Sequence, residues 1–158
     1  MILLPLGTVE GTVAADFTNL SSGTLRLQNG SITGALSNIG DLEASGSLGA
    51  GFVNDGTLTT IGNLTVQDIT NNDEANVGAG HTLIARSGFD NNGELDLRGN
   101  LTGQLRNNAE GVAQLAAGSA INGSVQNAGE LRGQTTINGA LSNSGSATLG
   151  GRTGAITN

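Results

Sequence analysis

Hydrophobic and polar residues alternate along this chain in short bursts, and the bursts repeat. An apolar anchor followed two residues later by asparagine occurs nine times: Phe17 with Asn19, Leu36 with Asn38, Phe52 with Asn54, Ile69 with Asn71, Phe89 with Asn91, Leu105 with Asn107, Val125 with Asn127, Leu141 with Asn143, and Ile156 with Asn158. Successive anchors lie 19, 16, 17, 20, 16, 20, 16 and 15 residues apart. The register extends in both directions. A small residue sits two positions before most anchors (Ala15, Gly34, Ala50, Ser87, Gly103, Gly123, Gly139, Gly154), and an apolar one four positions before (Val13, Ile32, Leu48, Leu101, Ile121, Ile137). Glycine recurs four positions after (Gly40, Gly56, Gly93, Gly129, Gly145) and leucine six positions after (Leu42, Leu58, Leu95, Leu131). The repeat is Φ-x-G-x-Φ-x-N-x-G-x-Φ, with Φ apolar. The unit at Ile69 departs most from it, with Gln67 and Asp73 where small residues are usual.

Period two within a unit predicts strands with one face inward and one outward. Frequent Gly and Asn argue against helix, where each Gly costs about 1 kcal/mol relative to Ala. A unit of 15–20 residues is too short for an independent hairpin domain. It fits one coil of a parallel β-solenoid, in which each coil pairs with the next at ~4.8 Å. The expectation is an all-β, single-stranded parallel β-helix of about eight coils of 15–20 residues, with 1–12 as a partial first coil and 13–158 as repeats. Eight intervals between anchors give a rod of roughly 38 Å. The variable spacing places insertions at corners, with Ser21-Ser22 and the segment from Gly78 to His81 as candidates.

Composition supports a thin core. Gly accounts for 27 and Asn for 18 of the 158 residues, while Phe17, Phe52 and Phe89 are the only aromatic side chains. Leu, Ile, Val and Phe still number 39, above the roughly 20% that marks disorder. The absence of Cys removes disulfides, thiol nucleophiles and Cys-ligated zinc, and a single histidine, His81, offers no metal cluster. Six Arg, no Lys and thirteen acids give a net charge of −7, which makes nucleic acid a poor partner, since phosphate binding needs a basic patch. No apolar run approaches the ~20 residues of a membrane span, so no membrane insertion is expected. The apolar start, Met1 to Leu6, lacks the basic flank and length of an export signal.

Three groups of residues could carry chemistry. The asparagine column (Asn19, Asn38, Asn54, Asn71, Asn91, Asn107, Asn127, Asn143, Asn158) reads as a structural turn ladder, because Asn satisfies turn backbone and amides stack in β structures; a ligand stripe is the alternative. Five residues after the anchors, Asp41, Glu74, Glu94, Glu110 and Glu130 form an acidic column. It reads as a solvated edge, with a weak divalent-cation or cationic-partner stripe as the alternative, since closely spaced carboxylates invite a cation. Asp90, Glu94 and Asp96 with Arg98 could serve a carbohydrate-cleaving site, but alternation of outward charge with inward leucine accounts for them. Neither a cofactor nor an enzymatic activity is expected. Asn19, Asn63, Asn100 and Asn122 head Asn-x-Ser/Thr sequons, a weak signal in so polar a chain.

Units such as Val125-Gln126-Asn127-Ala128-Gly129-Glu130-Leu131 and Leu141-Ser142-Asn143-Ser144-Gly145-Ser146 resemble the repeats of filamentous haemagglutinin-like exoproteins and autotransporter passengers of Gram-negative bacteria. The resemblance covers about Val13 to Asn158 and transfers no catalytic residue. It implies a right-handed β-helix acting as a stalk, adhesin or biofilm-matrix segment, secreted or held at the cell surface by an outer-membrane anchor. It also implies an outer-membrane transporter as partner during secretion and a host, cell-surface or matrix glycan or protein as a further one. The lack of Cys suits a passenger that crosses the periplasm unfolded.

A second resemblance, to bactofilins, implies a cytoplasmic filament subunit with end-to-end self-association. Phage tail spikes are a fainter third. Ile156-Thr157-Asn158 opens a further repeat unit, so the expectation is a segment of a longer protein, with self-stacking as the alternative.

Overall fold

The computed structural model describes residues 6–49 and 51–158. Met1–Pro5, and Ala50 among the expected small residues, lie outside the described residues. Within them there are twenty-one strands and no helix, hence no helix long and apolar enough to cross a membrane. The strands form one sheet of nine and one of twelve, and every pairing is parallel. The chain is a parallel β-solenoid of about nine turns, as the repeat predicts.

The nine-stranded sheet is built from the anchor units. Its strands run from Phe17–Asn19 through Leu36–Asn38, Phe52–Asn54, Ile69–Asn71, Phe89–Asn91, Leu105–Asn107, Val125–Asn127 and Leu141–Asn143 to Ile156–Thr157. Anchor pairs with anchor at each step, as in Phe52↔Ile69 and Ile69↔Phe89. The twelve-stranded sheet covers the other two sides of each coil. Several of its strands, such as Thr24–Ile32, Asp41–Leu48 and Val112–Asn122, bend around a corner without ending. The bend shows as register shifts between Leu27 and Gly30, Ala44 and Gly46, and Leu115 and Ser119.

The core is a few side chains wide. All anchors from Phe17 to Leu141 are buried, as are Leu25, Leu42, Leu58, Ala75, Leu95, Ala113 and Leu131 in the column beside them. The apolar residues four positions before the anchors do not form one column. Val13, Ile32 and Leu48 stack and continue through Val66 to Ala85. Leu101, Ile121 and Ile137 stack on Leu83 and Leu64. The strand Thr57–Val66 carries both columns, because its Leu64 and Val66 both point inward.

Two kinds of glycine serve the fold. At the corner, Gly46 (φ +108°) and its like take a backbone conformation that L side chains rarely adopt. The regular glycines after each Asn do not have positive φ; their role is close approach. A Cβ on Gly56 would collide with the carbonyl oxygen of Gly40, and one on Gly145 with that of Gly129. The expected corner insertions are present: turns interrupt the strands at Ser21-Ser22 and at Ala79-Gly80. A third turn, at Ala109-Glu110, is not anticipated by the repeat.

Candidate functional site

The asparagines occupy one buried line along the solenoid. From Asn19 to Asn127 they are 0–2% exposed, Asn143 is half-buried and Asn158 exposed. Each Nδ2 donates to the Oδ1 of the asparagine one coil on, at 2.7–3.0 Å, from Asn19 to Asn158. From Asn19 to Asn127 the second N–H of each amide is shared between two carbonyls. For Asn91 these are Gly93 O at 3.0 Å and Val112 O at 3.3 Å. The ladder therefore has one polarity: every amide donates toward the C-terminal end. No buried side-chain polar atom among the described residues lacks a partner. These amides are occupied by the protein itself and present no stripe to a ligand.

Beside this line runs a shorter, exposed one. Asn72 donates to Asp55 (2.7 Å), Asn92 to Asn72 (2.7 Å) and Asn108 to Asn92 (2.6 Å). The asparagine doublets at 71–72, 91–92 and 107–108 are its signal in the sequence.

The acidic column is broken by the structure. Glu74 and Glu94 do face each other on adjacent coils. Next to Glu94, however, stands Val112, not Glu110. The turn after Asn107 holds two more residues than its neighbours, with Gly111 N–H donating to Asn108 O at 2.8 Å, and this puts Glu110 in the turn. Glu130 pairs with Val112, and Asp41 lies between Thr24 and Thr57. Among the described residues no group of three or more His, Cys, Asp or Glu is placed to hold a metal ion.

Asp90 stands apart from Glu94, Asp96 and Arg98. Asp90 belongs to the nine-stranded sheet and pairs with Arg106 at 3.1 Å. Glu94 and Asp96 lie in the twelve-stranded sheet, where Asp96 binds Arg98 at 2.8 Å. The hydrogen bond to Asp96 and its charge raise the Arg98 pKa above its ordinary value. Arg26 with Glu43 and Arg132 with Glu130 are further exposed ion pairs among the described residues, each at 2.8 Å. Such pairs contribute little individually.

His81 is half-buried at its corner, with Nδ1 3.0 Å from Thr60 O and 3.1 Å from Thr60 Oγ1. Gly78 N–H donates to the same hydroxyl at 3.0 Å, so His81 pins a loop. Of the sequons, Asn19 is buried in the ladder, whereas Asn63 and Asn122 are exposed.

No protein-family model matches the chain, and neither a curated protein nor a solved structure matches it.

Proposed function

We propose that this chain is a non-enzymatic structural and adhesive rod, a stalk segment of a large secreted surface or biofilm-matrix adhesin of a Gram-negative bacterium. The observation that carries the reading is the uninterrupted amide ladder from Asn19 to Asn158. It ties each coil to the next in the same way, which suits a spacer better than a cleft. Of the residues considered for a carbohydrate-cleaving site, Asp90 lies in the nine-stranded sheet, apart from Glu94 and Asp96 in the twelve-stranded one. The partners on this reading are an outer-membrane transporter during secretion and a host or matrix glycan or protein at the exposed faces. A chain without Cys passes unfolded through such a pore without disulfides to obstruct it.

The test is display of the chain on a bacterial outer membrane, with retention on epithelial cells and on matrix-coated surfaces as the readout. Retention above that given by an unrelated displayed rod of equal length is expected. Retention equal to that control would overturn the adhesive reading.

A further inference from the structure

The exposed asparagine line stops at Asn108, although its register continues. Residues three positions after the anchors stack in one column, because each backbone N–H donates to the carbonyl of the ladder asparagine one coil back. The bonds run from Asp55 to Asn38, Asn72 to Asn54, Asn92 to Asn71, Asn108 to Asn91, Ala128 to Asn107 and Ser144 to Asn127, at 2.7–2.9 Å. Along this column the side chains of Asn72, Asn92 and Asn108 donate back toward Asp55. The next coil holds Ala128, so the rung after Asn108 is missing, and among the described residues Asn108 Oδ1 accepts no hydrogen bond. Over the gap lies a depression of about 280 Å³, with Asn108, Ala128 and Ser144 in one column of its lining and Arg106, Gln126 and Ser142 in the next. The second three stand in register on adjacent strands of the nine-stranded sheet.

We propose that this depression binds the acetamido group of an N-acetylhexosamine residue in a neutral glycan. The inference rests on the adhesive reading above for its glycan partner and names the sugar class. Three features specify the ligand. Asn108 Oδ1 is an unpaired acceptor, so the ligand presents an N–H there, as an amide rung does in a stacked ladder. Ala128 is short enough to leave room for an amide above it, and its methyl gives the acetyl methyl an apolar contact. The adjoining column of Arg106, Gln126 and Ser142 can both donate to and accept from ring hydroxyls. Charge selects a neutral sugar, because Arg106 is already paired with Asp90 at 3.1 Å and no unanswered cation lines the depression to draw a carboxylate or sulfate. The volume lies at the small end of ligand sites, near roughly 300 Å³, which suits one sugar edge.

Amide NMR of the purified chain tests the site directly, with N-acetylglucosamine and N-acetylgalactosamine as the probes. At least one of them should saturably shift the Ala128 backbone amide and the Asn108 side-chain amide. A Kd on the order of 1 mM is expected, the scale for one small polar ligand, with Ser37 on the same sheet unmoved. Glucose, which lacks the acetamido group, should bind about tenfold more weakly or worse. Ala128→Asn supplies the missing rung from the protein and should weaken binding about tenfold or more without loss of thermal stability. Gln126→Ala, at an exposed position, should weaken it about threefold. No saturable shift with either acetamido sugar, equal binding of glucose, or undiminished binding by either folded variant would overturn the proposal. So would equal shifts from the peptide Gly-Asn-Gly, since that assigns the site to amides of a polypeptide. Because the titration is done in solution on the purified chain, its failure removes this site alone, and the retention assay decides the adhesive reading separately.

Discussion

Each buried asparagine serves two coils at once, and its removal leaves polar groups stranded on both. In Asn91→Ala one N–H of the Asn71 amide and the Oδ1 of Asn107 lose their partners inside the solenoid. Unsatisfied buried groups cost about 1–3 kcal/mol each, so a loss of about 3 kcal/mol is expected in denaturant titration. Asn143→Ala, near the exposed end, should cost less than about 1 kcal/mol, because water replaces the lost bonds. Glycines divide in the same way. Gly80 has φ +79° and open space around its Cα, so Gly80→Ala carries only a left-handed strain of about 1–2 kcal/mol. Gly56→Ala meets the backbone of the preceding coil and should cost more, about 3 kcal/mol or above, because neither chain can withdraw without breaking the ladder. Equal losses at the two glycines, measured by thermal unfolding, would contradict this division of roles.

The strand elements were legible because period two and the Φ-x-Asn unit coincide at every anchor, so nine strands could be located by counting. Residues that a fixed offset from the anchor assigns were less secure. Glu110 is five residues after Leu105, as Glu94 is after Phe89, yet two extra residues in the turn remove it from the strand. Anchor spacing shows that a coil is longer but does not show which corner holds the excess. The splitting of the apolar column at Leu64 and Val66 has the same origin. The inward–outward assignment itself is testable on neighbouring residues. Leu131 is fully buried and Arg132 exposed. Leu131→Asp, which buries an unpaired charge, should cost about 4 kcal/mol or more and unfold the surrounding coils. Arg132→Ala should change stability by less than about 0.5 kcal/mol. Similar effects at the two positions, followed by circular dichroism in urea, would place the register in error.

At the scale of the whole molecule, the composition that looks poor for a globular core suits one that is a single coil wide. The three Phe all sit on the anchor line, small residues let coils approach, and amides close the turn on the inside. Glu74 and Glu94 face each other on adjacent coils, while Asp90 stands on the other sheet and His81 at a corner. The sequence therefore carries the fold and the ladder more openly than any site.

The central claim is that coils stack in parallel with anchor on anchor, and cross-linking tests it most directly, since the chain has no Cys of its own. Thr70 and Asp90 are neighbours on adjacent strands, and Arg106 lies one strand further. Adjacent strands are ~4.8 Å apart, within disulfide reach, and two strand spacings, ~9.6 Å, are beyond the ~7 Å limit. Thr70→Cys with Asp90→Cys should oxidise to an intramolecular disulfide under mild conditions, while Thr70→Cys with Arg106→Cys stays reduced. Failure of the first pair, or preferential closure of the second, would contradict the parallel coil-on-coil register.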